Sequence, residues 1–209
     1  MSRGSPELTA ARREEIIAAC AKLNETRSFR ESTIKEIGEA TTFTRTSIYN
    51  YFETKEEIFL ALLQKEYELW VEAMNAEMAK RATMTRGELA QTLARTLTDR
   101  PRLLRLLSMN LYDMEASSRP ERLAEFKVAF GASLDTVARM VEKYAPEMGE
   151  AARRQFLYSF FPFIYGIYPY TSVSEKQKLA MEQAGIPYAY QSAYDLTCTC
   201  LNKLLEVPQ

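Results

Sequence analysis

The sequence contains no histidine, and that one absence removes the commonest general base and the commonest metal ligand together. Histidine-dependent triads and zinc sites are excluded, and no paired carboxylates on a recognisable scaffold take their place. The chain therefore reads as a non-enzyme that needs neither cofactor nor metal. Cysteine is scarce: Cys20, Cys198 and Cys200 form no CxxC pair. Two residues apart on a helix point about 200° around its axis, so no disulfide framework is expected and the thiols read as small core residues. No apolar run reaches the ~20 residues of a membrane-crossing helix, and no basic-then-apolar leader opens the chain. A soluble, cytoplasmic protein with no membrane partner is the expectation.

A strong charge of either sign is also missing. The net charge is −1, and residues 1–55 carry a net +1 against −2 for the remainder. Any DNA binding must then rest on a few well-placed cations and helix N-termini, doubled by dimerisation, rather than on a broad basic face.

What is present points to helices throughout. With 209 residues, 46% of them hydrophobic, the chain can bury a substantial core. Ser or Thr followed three residues later by Glu or Gln, the capping box that satisfies orphan amide donors, recurs ahead of apolar-periodic segments. The pairs are Thr33/Glu36, Thr54/Glu57, Thr85/Glu88, Ser118/Glu121 and Ser174/Gln177. Ile16, Ala19, Cys20 and Leu23 mark a first helix over about 9–26, Ile34 and Ile37 a short second one, and a third runs from 44 to 52. A long fourth helix extends from Thr54 toward Lys80. Further helices are expected near 86–98, 101–115, 119–145, 150–170, 174–184 and 188–206, with Pro169 ending the penultimate long one and Gly185-Ile-Pro187 stopping the next.

The expected architecture is all-α. An N-terminal three-helix domain over 1–55 is expected, joined by the long fourth helix to a larger helical domain over 56–209. Residues 33–52 hold two short helices separated by Thr41-Thr42-Phe43, the layout of a helix-turn-helix. Ile34, Ile37, Phe43, Ile48 and Phe52 form its small core, and Thr44 is placed to cap the second helix. Arg45, Thr46, Ser47, Tyr49 and Asn50 face outward. A long cation and short hydrogen-bonding groups suit base edges, whereas hydroxyls suit phosphates. Lys35 and Lys55 flank this face.

The run from Thr33 to Phe59, TIKEIGEATTFTRTSIYNYFETKEEIF, resembles the signature of the tetracycline-repressor (TetR) family, most specifically in Ile48-Tyr49-x-Tyr51-Phe52-x-x-Lys55. Departures are Thr41-Thr42 in place of the usual Ala-Gly, Gly38 in place of Ala, and Thr46 in place of Gly. The resemblance implies base contacts from Lys35, Arg45, Thr46 and Tyr49, and phosphate contacts from Thr33, Thr44, Ser47, Tyr51 and Lys55. It also implies a homodimer on a double-stranded palindromic operator and a small-molecule effector pocket in the C-terminal domain.

Eight aromatics crowd the fifteen positions from Phe156 to Tyr170. Their apolar side chains lie all round the helix, so more than one neighbour must cover it. Tyr112, Tyr158, Phe161, Tyr165 and Tyr168 are the expected lining of a pocket for an apolar or aromatic effector. The dimer seam is expected at Phe156 and Phe160 and along Tyr190, Tyr194, Thr197, Leu201 and Leu204, which repeat at helical spacing. The competing readings are an all-α ligand carrier, and a protein-binding module, using the first helices structurally.

Overall fold

The computed structural model describes residues 5–109 and 111–206, with Arg45 by its backbone alone. The described residues form α-helices and no strand. These are α1 (Pro6–Thr26), α2 (Ile34–Glu39), α3 (Arg45–Ile48), α4 (Lys55–Lys80), α5 (Arg86–Thr98), α6 (Pro101–Leu107), α7 (Leu111–Ala116), α8 (Pro120–Tyr144), α9 (Glu150–Thr171), α10 (Glu175–Gln183) and α11 (Ala193–Leu204).

Local chemistry sets most helix ends. The capping boxes at Thr33/Glu36, Thr85/Glu88 and Ser174/Gln177 are complete, each hydroxyl accepting from the third amide while the third side chain returns to the cap amide. Thr54 accepts from the Glu57 amide at 3.2 Å, but the Glu57 carboxylate turns to the Glu53 amide at 2.8 Å. The Ser118/Glu121 box does not form. The Ser118 hydroxyl donates to the Met114 carbonyl at 2.7 Å, closing α7, and α8 opens on Pro120, whose missing amide suits a first helical position.

Three more expectations need correcting. The helix expected over 101–115 is two, α6 and α7. Pro169 does not stop α9, which runs through both Pro162 and Pro169 to Thr171. The last helix begins at Ala193, where Ser192 accepts from the Asp195 amide at 3.0 Å, rather than near residue 188. Gly185 does stop α10. At φ +67° it lets its own amide reach Glu182 at 3.0 Å and the Ile186 amide reach Met181 at 3.1 Å, the paired bonds of a Schellman end.

The described residues divide into two compact units, drawn differently from the expected cut after residue 55. One holds the chain through Glu66 together with Met109–Phe130. In it α1 packs on α2 and α2 on α3, around Ile16, Cys20, Ile37, Ile48, Phe52, Ile58, Phe59 and Phe126, all fully buried. The other holds Tyr67–Ser108 and the chain from Gly131. There α11 lies on α5 and α9, and α6 on α9, over Trp70, Leu89, Leu93, Phe156, Phe160 and Ile164. Lys143 and the Tyr144 hydroxyl close this second core by donating to carbonyls at the end of α4, Met78 and Arg81, at 2.7–3.4 Å.

Candidate nucleic-acid interface

The reading element is fixed from beneath by apolar side chains. Ile37 of α2, Ile48 of α3 and Phe52 just after it are fully buried, so the turn between the two helices is set by packing. Burying a side chain such as Phe52 contributes about 1.5–3 kcal/mol. The turn itself is held by polar bonds: the Thr41 hydroxyl donates to the Gly38 carbonyl at 2.8 Å, with the Phe43 carbonyl at 3.1 Å, and the Thr42 amide donates to the Glu15 carboxylate of α1.

Above that base the candidate residues separate into two groups. Lys35, Thr46, Tyr49 and Asn50 present exposed side chains. Lys35 is tied to Glu39, at 3.7 Å with both side chains more than half exposed, a pair that costs little to break. Arg45 opens α3, and its side chain lies outside the described residues. The others already have work within the chain. Thr33 spends its hydroxyl on the α2 capping box. Thr44 stands at the N-cap of α3 but caps nothing with its side chain, pairing instead with the Ser47 hydroxyl at 3.1 Å.

The Tyr51 hydroxyl accepts from Arg12 at 3.3 Å, beside a Phe43 ring 6.4 Å away. Lys55 is the clearest departure from expectation. Its ammonium donates to the Phe29 and Ser32 carbonyls at 3.1 and 3.4 Å and sits 4.3 Å from the centre of the Phe29 ring. It ties the loop before α2 to the start of α4.

Residues that spacing did not reveal clamp this unit. The Glu57 side chain, with no exposed surface, accepts from Arg119 Nε at 2.7 Å, from Arg119 Nη2 at 2.8 Å and from the Arg119 amide at 3.0 Å. The same guanidinium donates to the Tyr51 carbonyl at 3.3 Å, immediately after the reading helix. Burial works to raise the Glu57 pKa, but its bonds from Arg119 and the Glu53 amide outweigh that and hold it below the usual carboxylate range. Nearby, Glu125 accepts from Arg13 at 2.8 Å and Arg122 at 2.7 Å, and both guanidiniums lie within 6 Å of the Phe52 ring centre.

In the second unit the expected effector and interface residues scatter. Phe161 is buried 6.2 Å from the Trp70 ring, and the Tyr165 hydroxyl lies 3.2 Å from that of Tyr67, whose phenol burial pushes up. Tyr168 is half-buried, whereas Tyr158 is 71% exposed. Tyr112, 80% exposed, belongs to the first unit and not to the body expected to hold a pocket. Phe156, Phe160, Thr197 and Leu201 of the expected seam are buried within the chain's own core. Tyr194 and Leu204 are half-buried and Tyr190 is exposed, stacked edge-on with Tyr188 at 5.0 Å. A groove of about 520 Å³ lies nearby, lined by Phe163, Ile167, Tyr170, Tyr188 and Leu196 among others.

The family models match both parts of the chain. Residues 16–62 match "Bacterial regulatory proteins, tetR family", and residues 64–191 match "Tetracyclin repressor-like, C-terminal domain". The chain belongs to the TetR family. TetR-family regulators are non-enzymatic DNA-binding transcription factors.

The TetR fold recurs in solved structures at low identity. A putative TetR-family regulator from Mesorhizobium loti is 15% identical, with 94% of this chain and 97% of that one covered at a TM-score of 0.61. PfmR from Thermus thermophilus is 12% identical, covered 91% and 96%, at 0.59. Thermus thermophilus FadR, a repressor solved in complex with lauroyl-CoA, is 20% identical, covered 92% and 92%, at 0.58. No curated protein sequence matches the chain.

This TetR regulator makes its turn without the usual Ala-Gly. Among the described residues no side-chain-bearing residue has a positive φ, so Thr41 and Thr42 stay in conformations open to any L-residue. The Thr41 hydroxyl and the Glu15 carboxylate supply the bonds that hold the turn in place. No helix among the described residues is long and apolar enough to cross a membrane.

Proposed function

We propose that this TetR-family chain is a ligand-responsive repressor that binds a palindromic operator as a homodimer, reading bases with Lys35, Arg45, Thr46, Tyr49 and Asn50. The observation that carries this reading is the contrast across α2 and α3. One side is fully buried at Ile37 and Ile48, while the other presents the exposed side chains of Lys35, Thr46, Tyr49 and Asn50, and the surface ion pair of Lys35 yields readily to a DNA contact. Thr33, Thr44 and Ser47 line the same edge with hydroxyls that suit phosphate oxygens. Paired heads reach successive major grooves about 34–36 Å apart.

Dimerisation through the second unit is supported by its exposed apolar side chains. Tyr158, Tyr170, Leu179, Ile186, Tyr188 and Tyr190 are each at least 42% exposed, and among them Tyr170 and Tyr188 line one groove with Tyr190 stacked on Tyr188, the kind of exposed apolar surface that marks an interaction site. The interface thus runs over these residues with Tyr194 and Leu204, and not through Phe156, Phe160, Thr197 or Leu201.

For the effector, Tyr67 and Tyr165 place paired hydroxyls beside the Trp70–Phe160–Phe161 aromatic cluster. That combination suits a mostly apolar molecule with one polar group. The FadR complex with lauroyl-CoA supports an effector with a long apolar part. Its binding favours a head spacing that no longer fits the operator.

Selection of bound sequences from random duplex DNA tests the reading. A palindrome is expected, and Arg45→Ala relaxes preference at one base position in each half-site. Absence of any enriched palindrome at low salt refutes it.

A further inference from the structure

Alongside the last turns of α4 and α5 lies a crevice of about 220 Å³, lined by Glu77, Lys80, Arg95, Thr96, Asp99 and Arg100 among others. We propose that it binds a small oxyanion, a phosphate or carboxylate group, held by Arg95 and Arg100. Four observations converge on it.

The first is an orphaned donor. Arg100 Nε is buried and has no hydrogen-bond partner among the described residues, whereas buried polar groups are as a rule satisfied. The second is the placement of the cations. Lys80 and Arg95 stand near helix C-termini, where the dipole favours positive charge. Arg100 does not: it lies past the end of α5 and at the N-cap of α6, the end that disfavours a cation. Answering helix dipoles accounts for two of the three cations and leaves Arg100 unexplained.

The third is the balance of charge. Glu77 is engaged by Lys80 at 2.9 Å and by Arg81 at 3.9 Å. The lining thus sets three cations, Lys80, Arg95 and Arg100, against two carboxylates, Glu77 and the exposed Asp99, and the guanidinium fork matches the geometry of an oxyanion. The fourth is size, since the crevice falls below the roughly 300–1,000 Å³ of sites for drug-sized ligands. It suits an ion or a charged head group and not the apolar effector proposed above, on which this inference does not depend.

The wall of the crevice carries its own reporter. Thr96 accepts from the Trp70 indole N–H at 3.2 Å and donates to the Leu93 carbonyl at 3.0 Å. Trp70 is the one tryptophan in the chain.

The experiment is a titration of the full-length protein with inorganic phosphate, and separately with acetate, at ionic strength held constant with chloride, followed by Trp70 emission. A saturable change with either oxyanion is expected, and the tighter of the two arms identifies the source of the anion. Arg95→Gln, at an exposed position, weakens binding at least fivefold, and Arg100→Gln abolishes it. If Arg100→Gln does not fold, Arg95→Gln alone decides the matter. No saturable change, the same change with chloride alone, or an unaltered curve for Arg95→Gln overturns the proposal.

Discussion

Glu57 and Arg119 stand 62 residues apart in sequence and meet through two side-chain hydrogen bonds of 2.7 and 2.8 Å and a third from the Arg119 backbone. Because the carboxylate is fully enclosed, removing its partner leaves an uncompensated buried charge. Arg119→Met should therefore destabilise the protein by about 3–5 kcal/mol. Replacing both, as Glu57→Met with Arg119→Met, should restore most of that loss. Urea unfolding of the two variants beside the unaltered protein measures it; equal losses for single and double replacements count against the pair.

The same carboxylate predicts a pH dependence. The folded-state pKa values of Glu57 and Glu125 are held below their unfolded values by arginine bonds that overcome the cost of burial. Their contribution is present above the unfolded value, about 4.3, and is lost as pH falls through the lower folded values. Unfolding free energy should drop on acidification below about pH 5, and Glu57→Gln should flatten the slope there.

Lys35 and Lys55 should behave differently although both flank the reading helix. Lys35, proposed above to read a base once its surface pair with Glu39 gives way, also brings a positive charge to the DNA, so Lys35→Ala should relax preference at one base position and lower the salt dependence of operator binding by about two counterions per dimer. Lys55 is committed to Phe29 and Ser32. Lys55→Ala should leave that slope unchanged and reduce stability by about 1–2 kcal/mol. Operator titrations across a salt series, beside thermal unfolding, separate the two.

Tyr165→Phe removes one hydroxyl from the Tyr67 pair at 3.2 Å. A loss of about 1 kcal/mol is expected, with Tyr67→Phe plus Tyr165→Phe less costly than the sum of the single changes. A strictly additive double-mutant cycle argues that the hydroxyls do not interact.

What could be read from sequence was whatever is decided within a few residues. The boxes at Thr33, Thr85 and Ser174 join partners three positions apart, and the Gly185 stop needs only one residue with a positive φ. Ser118/Glu121 has the same spacing and fails because both Ser118 donors close the preceding helix instead, the hydroxyl on the Met114 carbonyl and the amide on the Glu115 carbonyl. The role of Lys55 was hidden for a different reason: its carbonyl partners, Phe29 and Ser32, lie more than twenty residues away in the chain.

Apolar periodicity in α9 identified a helix covered on several sides but not which side meets the core. It therefore could not distinguish enclosed Phe156 and Phe160 from exposed Tyr158 and Tyr170. In and just after the reading helix the outward positions Thr46, Tyr49 and Asn50 were legible, because buried Ile48 and Phe52 fix the phase of the run, whereas Ser47, also expected outward, is half-buried.

α10 has no buried residue. Nine residues of helix are held by the Ser174 box at one end and the Gly185 turn at the other, with no face resting on a core. Surface positions of this kind usually change stability by less than about 0.5 kcal/mol when substituted. Folding of the chain alone therefore places almost no restriction on which side chains occupy its middle turns. Any constraint that natural variation shows between Lys176 and Glu182 measures selection exerted from outside the chain, and the segment serves as an evolutionary gauge of whatever touches it.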